Sequence, residues 1–211
     1  MNFAYHASQN GVEGWAVSAV GNDDAGRDLL AVTASYGIRT LVATVDKPTG
    51  TVDVSLCDGQ PTYTIHEHVA WDYIPLTEEM LSLARRAGAI CFGTLAQRGE
   101  VSHRTTCAMV ETVPADAYRI YDINLRQHFY SKELIDRSLR IANVLKINDT
   151  NSSGCRRCLR FRRIRMLRAA NWRNNMHFAW SYLPAGIVSA PFIPASVYLR
   201  CRHPGWKSSI P

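Results

Sequence analysis

The sequence predicts an α/β protein with a central, mostly parallel sheet, helices on both faces and a small antiparallel ribbon. Short apolar runs of strand length alternate with helical stretches over residues 75–150, which is typical of βαβ units. Two of these runs, residues 118–126 and 143–149, end in clusters of polar side chains. Residues 51–65 differ, because apolar and polar side chains alternate there around the turn dipeptide Asp58-Gly59.

The first part of the chain predicts helix, strand and helix. Residues 2–9 predict a short helix that Gly11 ends, and residues 15–20 predict a buried strand. That strand runs into Gly21-Asn22-Asp23-Asp24-Ala25-Gly26, where the glycines permit a tight turn. The acidic residues of this turn favour the N-terminus of a helix over residues 25–36.

The segment that follows predicts a three-stranded antiparallel meander. Its expected strands are residues 41–46, 51–57 and 62–65, and the middle strand has its apolar side chains on one face. A sheet with one apolar face has to cover something, either as a lid over a cleft or against a partner subunit. An extension of the edge of the main sheet is the alternative.

From Pro75 onward helices and strands alternate regularly. Thr77 is placed to cap a helix whose first turn contains Glu78 and Glu79. Further helices are expected over residues 100–111 and from residue 131, and strands over residues 89–92, 119–124 and 144–147.

The carboxyl ends of two predicted strands carry residues that suit a polar ligand. Open α/β sheets bind ligands beyond the carboxyl ends of their strands. Two cations, two amides and one carboxylate in one crevice suit a ligand that carries phosphate. The ordinary polarity of loops is the alternative, and the residues alone leave this open. The side chains concerned are Asp122, Asn124, Arg126, Lys146 and Asn148.

The charge of the chain is divided between two segments. Residues 1–150 contain 13 Lys and Arg and 18 Asp and Glu, a net charge of −5, whereas residues 151–211 contain 11 Lys and Arg and no acidic residue. The net charge of +6 therefore comes from the tail. No apolar run of about 18 residues indicates a membrane span. Residues 1–11 do not resemble a signal peptide, so six cysteines predict reduced thiols in the cytoplasm.

Several motifs resemble those of PfkB-type, or ribokinase-like, carbohydrate kinases. Residues 20–26 match the VGxDxxG signature of that family, and Asn2-Phe3-Ala4 resembles the N-x-A that follows its Gly-Gly substrate loop. Residues 48–72 resemble the lid of fructokinase-like members. Residues 93–98, 122–126 and 145–149 fit the same subgroup, in the order that the family has them.

The resemblance implies transfer of the ATP γ-phosphate to a sugar hydroxyl, with Mg²⁺ beside the phosphates and a lid of about residues 40–72 over the sugar. It leaves open which sugar is bound, and it implies no metal ligand within the chain. A homodimer formed through the lid is a further expectation. The resemblance places Asn2, Asp23, Arg98, Asn124 and Arg126 at the sugar, and Lys146 and Asn148 at the nucleotide phosphates.

The sequence departs from the family pattern at both ends. It starts at the Asn of the substrate loop, so the first strand and the Gly-Gly pair are not present. Asn151 stands where the N-x-x-E motif has Glu, and residues 151–211 contain no G-A-G-D motif. That motif supplies the catalytic Asp and the helix N-terminus that holds the phosphate. We therefore expect a partial and inactive kinase domain over residues 1–150 and name no catalytic residue.

The basic tail, residues 151–211, has two main interpretations. The resemblance and the acidic residues both stop at Thr150, which a shift of reading frame in the gene would explain. A frame-shifted tail is expected to be poorly ordered, and the nucleotide sequence over codons 148–153 tests this interpretation. The alternative is an arm that binds nucleic acid, because seven arginines lie between Arg156 and Arg168.

A zinc site in the tail is the weakest alternative. Cys155 and Cys158 have the spacing of one ligand pair, but Cys201 and His203 are too close together for a standard second pair.

Overall fold

The structure, a computed structural model, describes residues 1–57, 60–147, 165–168 and 197–201. Within these ranges it contains a seven-stranded sheet and a separate two-stranded ribbon. The helices are α1 (Asn2–Gln9), α2 (Asp24–Ser35), α3 (Glu78–Arg85), α4 (Glu100–Thr112) and α5 (Lys132–Ile141). The first five strands are β1 (Gly14–Gly21), β2 (Arg39–Val45), β3 (Val52–Cys57), β4 (Gln60–Ile65) and β5 (Ala87–Gly93). The last four are β6 (Tyr118–Ile123), β7 (Val144–Ile147), β8 (Arg165–Arg168) and β9 (Val197–Cys201).

The large sheet has the strand order β2-β1-β9-β5-β6-β7-β8. Strand β9 is antiparallel to both of its neighbours, and the other described pairs are parallel. The carboxyl ends of β1, β5, β6 and β7 therefore lie along one edge, which is called the carboxyl edge below. This arrangement confirms the predicted α/β class with a mostly parallel sheet.

The prediction of a three-stranded meander is wrong, because β2 belongs to the large sheet. Strand β2 pairs in parallel with β1, from Trp15 opposite Arg39 to Gly21 opposite Val45. Its apolar residues pack against the main core, and α2 supplies the crossover that a parallel pair needs. Only β3 and β4 form the antiparallel ribbon. We call this ribbon the lid.

Two hydrophobic cores lie on opposite faces of the sheet, because side chains alternate along each strand. In β5, Ile90 and Phe92 belong to the larger core, whereas Ala89 and Cys91 belong to the smaller one. The larger core also contains apolar residues of α3, α4 and α5, and the smaller one contains residues of α1. Helices thus cover both faces of the sheet, as predicted.

Three helices begin at residues whose side chains accept a backbone N–H from the first turn. Thr77 accepts from Met80 N at 3.2 Å, which confirms the predicted cap of α3. Ser131 accepts from Leu134 N at 3.1 Å, and Asp23 caps α2. These contacts satisfy N–H groups that have no partner within their own helix.

Most of residues 148–211 lie outside the described residues, so the expectations for the order of the tail, its arm and its zinc site stay predictions. None of the described helices combines the length and the apolar character needed to cross a bilayer.

Candidate functional site

The carboxyl edge brings together the polar ends of β6 and β7, as the sequence predicts. Asp122 and Lys146 are direct register partners on these strands. The Lys146 ammonium donates to Asp122 Oδ2 at 2.6 Å, and both side chains are about one-third exposed. The cation predicted for the nucleotide phosphates is therefore shared with a carboxylate, so a phosphate at this position would compete with Asp122.

Cys91 lies on the neighbouring strand β5, in the core beneath this ion pair. Complete burial raises the pKa of its thiol to about 12, and the negative charge of Asp122 acts in the same direction. The thiol therefore stays protonated at neutral pH, which fits a small core residue better than a nucleophile.

Asp23 holds the loop that leads into the lid. Its Oδ1 accepts from the Thr49 hydroxyl at 2.6 Å and from Gly26 N at 2.8 Å. Its Oδ2 accepts from Thr49 N at 2.8 Å. The Thr49 hydroxyl in turn accepts from Gly21 N at 2.8 Å. These bonds join the end of β1, the start of α2 and the segment before β3, so the carboxylate has a structural task whether or not it also contacts a sugar.

The hydrogen bonds to Asp23 make stability depend on pH. The Thr49 hydroxyl, followed by the N–H groups of Thr49 and Gly26, lowers the pKa of Asp23 below its usual value. A lowered pKa in the folded state gives stability that is present above the unfolded-state pKa of about 4 and is lost as pH falls through the folded-state pKa. We therefore expect Asp23→Asn to lower stability at pH 7 and to reduce its fall between pH 5 and pH 2.

Urea unfolding of both proteins at pH 7, 4 and 2.5 measures this effect. Asp24→Asn is the matched control, because the Asp24 side chain is 94% exposed and pairs only with Arg27 of the same helix. If Asp23→Asn and Asp24→Asn lost stability with pH in the same way, the prediction would be contradicted.

The glycines of the VGxDxxG motif allow this loop to close tightly. A Cβ at Gly21 would lie 2.8 Å from Thr49 N and would overlap the Lys47 carbonyl oxygen. A Cβ at Gly26 would overlap the Gly21 carbonyl oxygen. The motif therefore requires glycine because backbones approach closely, and neither residue has a positive φ.

Two segments flank the lid: the first connector, residues 46–51, joins it to β2, and the second connector, residues 66–77, joins it to α3. Ala70 N donates to the Pro48 carbonyl oxygen at 2.8 Å, so the connectors are joined directly. Gly50 lies against the indole of Trp71 so closely that a Cβ would overlap the ring. The base of the lid is therefore a single packed unit.

The side chain of Arg98, predicted to contact the sugar, is buried against the second connector. Its Nε donates to Asp72 Oδ1 at 2.7 Å, and its Nη2 donates to Asp72 Oδ2 at 2.9 Å and to the His66 carbonyl oxygen. The side chains of Arg98 and Asp72 are each 7% exposed. The guanidinium lies 4.0 Å from the ring centroid of Trp71 and 4.4 Å from that of Phe129.

The loop after β6 holds the other side of the lid. Asn124 and Arg126, predicted to contact the sugar, lie half-buried at the start of this loop. Further along, Gln127 Nε2 donates to the Tyr63 carbonyl oxygen of β4 at 3.2 Å. His128 Nε2 lies 3.6 Å from Glu67 Oε1. The loop that carries two candidate sugar ligands therefore also contacts the lid.

Sequence reasoning missed Thr49, Asp72 and Phe129. Thr49 and Asp72 are buried polar residues in connecting segments, which is unusual for loops and could have been noticed only from their partners. Asp72 and Phe129 become visible as neighbours of Arg98 only in the folded chain, since they are 26 residues before it and 31 residues after it.

Two predicted ligands cannot be placed. The side chain of Asn2 and the whole of Asn148 lie outside the described residues. Within the described part of the chain, no group of three His, Cys, Asp or Glu side chains is arranged to hold a metal ion. Of the two residues predicted for the nucleotide phosphates, the structure describes Lys146, whose ammonium has the charge that suits a phosphate but is shared with Asp122.

Comparison with known protein families identifies the family of this chain. The family model for pfkB family carbohydrate kinases matches residues 1–155. The chain belongs to the pfkB carbohydrate kinase family. An uncharacterized sugar kinase of Pyrococcus horikoshii is 23% identical over 156 residues, which are 70% of this chain and 50% of that relative.

Solved structures of pfkB kinases share the fold. The crystal structure of the Pyrococcus horikoshii sugar kinase has a TM-score of 0.65 at 21% identity, and the match covers 72% of this chain and 53% of the kinase. A fructokinase of Vibrio cholerae O395 has a TM-score of 0.62 at 19% identity, covering 74% and 56%. A fructokinase of Xylella fastidiosa with bound ATP has 0.63 at 19%, covering 72% and 50%. The pfkB chain described here thus spans about half the length of these relatives.

Proposed function

We propose that this chain forms the sugar-binding part of a kinase that transfers phosphate from ATP to a sugar hydroxyl, with fructose as the first sugar to test. The observation that carries the proposal is the lid, which is tied to the carboxyl edge through both connectors. Membership of the pfkB family supports the sugar as substrate class. The fructokinases among the similar structures, one with bound ATP, support fructose and ATP as the pair.

Each part of the site has a definite task in this proposal. The lid lies over the sugar and excludes water, which would otherwise compete with the sugar hydroxyl for the phosphate. Asn124 and Arg126 donate hydrogen bonds to sugar hydroxyls from the loop after β6. Asp23 keeps the first connector in place through Thr49. Lys146 is assigned to the phosphates in this proposal, and its ammonium donates to Asp122 until a phosphate replaces that partner.

The proposal also covers turnover by the 211-residue chain. Residues 151–211 contain no Asp or Glu, so they supply no carboxylate that could take the proton of the sugar hydroxyl. The chain therefore binds a sugar without phosphorylating it. The cytoplasmic location and the homodimer through the lid stay predictions.

Calorimetric titration of the purified chain with fructose tests binding, and an ATP-dependent assay that detects ADP tests turnover. We expect the chain to bind fructose and to form ADP no faster than the heat-denatured chain does. We expect Asn124→Ala to bind fructose about tenfold more weakly, since a lost hydrogen bond costs about 1 kcal/mol or slightly more. Arg104→Ala is the control, because Arg104 is an exposed residue of α4 that pairs with Glu100.

Absence of binding to fructose, ribose and 2-keto-3-deoxygluconate would contradict the sugar-binding proposal. Robust turnover would contradict the statement that the chain is inactive, while leaving the substrate class in place.

A further inference from the structure

The side chain of Arg98 is buried and hydrogen-bonded within the protein, unlike a side chain that is exposed to bind a ligand. Its side chain is 7% exposed, and Nε and Nη2 make three hydrogen bonds within the protein. The guanidinium also lies over the aromatic rings of Trp71 and Phe129. Arg98 lies at the wall of a cavity with Asp72 and Phe129, but only 7% of its side chain is exposed. The geometry thus argues for a task inside the protein.

The lower half of the second connector is fixed on α4. Ser102 Oγ donates to the Trp71 carbonyl oxygen and accepts from Ile74 N, each at 2.8 Å. Thr105 Oγ1 donates to the Ile74 carbonyl oxygen at 2.7 Å. All of these groups are buried, so this part of the connector moves only together with the helix.

The upper half of the second connector leads directly into the lid. It begins at His66, next to the end of β4, and its backbone turns at His68, which has a φ of +57°. The side chain of Glu67 is half exposed, and its contact with His128 is 3.6 Å long. Arg98 is the residue that joins the two halves, because one guanidinium binds the Asp72 carboxylate below and the His66 carbonyl above.

One donor of this guanidinium has no acceptor. Arg98 Nη1 is buried and without a hydrogen-bond partner in the described part of the chain. A buried donor without a partner disfavours the arrangement in which it occurs.

We propose that Arg98 is a positioning residue that sets the angle of the lid over the carboxyl edge, and that it does not contact the sugar. The ion pair with Asp72 and the contacts with Trp71 and Phe129 hold the guanidinium against the lower half of the second connector and the loop after β6. The bond to the His66 carbonyl oxygen then fixes the distance between the end of β4 and the carboxyl edge. The inference rests on the proposed function in one respect, namely that the lid closes over a sugar.

The proposal is tested by hydrogen exchange of the full 211-residue chain without sugar or ATP, with the exchange of each peptide measured by mass spectrometry. Arg98→Lys keeps the charge but loses the planar guanidinium, so it cannot form the bidentate pair with Asp72 together with the bond to the His66 carbonyl oxygen. We expect amides of residues 60–65 to exchange about tenfold faster in Arg98→Lys, while β5 and β6 change less than twofold. Arg104→Ala is the control, because Arg104 is an exposed arginine of the nearby helix α4, and we expect this variant to leave lid exchange unchanged.

A second variant guards against a general loss of folding. Phe129→Leu keeps an apolar side chain but removes one ring that covers the guanidinium, and we expect a smaller increase in exchange, of about threefold, confined to the lid. Unchanged lid exchange in Arg98→Lys would overturn the proposal, and so would faster exchange across β1, β5 and β6 alike. Neither outcome depends on turnover or sugar binding, so failure of the kinase proposal remains a separate result.

Discussion

Asp72→Ala is expected to lower the free energy of unfolding by about 3–5 kcal/mol, because it leaves the guanidinium of Arg98 buried without a counter-charge. The pair is bidentate, with N–O distances of 2.7 and 2.9 Å, and both side chains are 7% exposed. Asp72 also accepts from Val69 N at 3.2 Å, so the variant loses a backbone contact of the second connector as well. Urea unfolding at pH 7, followed by circular dichroism, measures the loss.

Glu100→Ala is the control for Asp72→Ala. Glu100 makes a 2.8 Å ion pair with Arg104, but both side chains are about 70% exposed, so solvent screens the pair. We expect it to contribute at most about 0.5 kcal/mol. A loss below about 1 kcal/mol in Asp72→Ala would show that water reaches Arg98 in the variant and that the pair is less buried than the structure indicates.

Gly21→Ala is expected to cost about 1–3 kcal/mol and to displace the first connector. The added Cβ would overlap the Lys47 carbonyl oxygen and would lie 2.8 Å from Thr49 N. Both atoms are backbone, so relief requires a shift of the whole connector and not of one flexible side chain. That shift would also stretch the bonds between Thr49 and Asp23.

Thermal unfolding measures the cost, and Gly93→Ala is its matched control. Gly93 also ends a strand of the large sheet, but its Cβ would meet only the Asp122 carbonyl oxygen at an ordinary 3.5 Å. We expect Gly93→Ala to leave the unfolding temperature almost unchanged. Equal effects of the two substitutions would contradict the assignment of Gly21 to a close backbone contact.

The sequence predicts the secondary structure well where the signal is local. The helix that Thr77 caps and the strand before Gly21 follow from capping residues, glycine positions and apolar runs. Strand β2 shows the limit of such signals. Its residues suit an antiparallel strand as well as a parallel one, and only the packing of α2 against the sheet decides which neighbour it has.

The candidate site shows the same division between local and distant information. The order of the polar residues after β6 and β7 predicts that Asp122 and Lys146 meet, because parallel strands end at one edge. The predicted sugar contact of Arg98 depended on a motif alone. The structure places the residue between Trp71 and Phe129, in a joint that no spacing in the sequence reveals.

The sequence by itself determined the α/β class and the pfkB family, since these depend on residues that are close together in the chain, and it predicts the carboxyl edge as the place of the site. The tertiary structure decided which polar groups remain available to a ligand. Asp23 and Arg98 both appear as polar residues of candidate motifs, yet each is bound by residues 26 positions or more away. Burial makes such distant contacts strong, because a charge that has left water must find its partner within the protein.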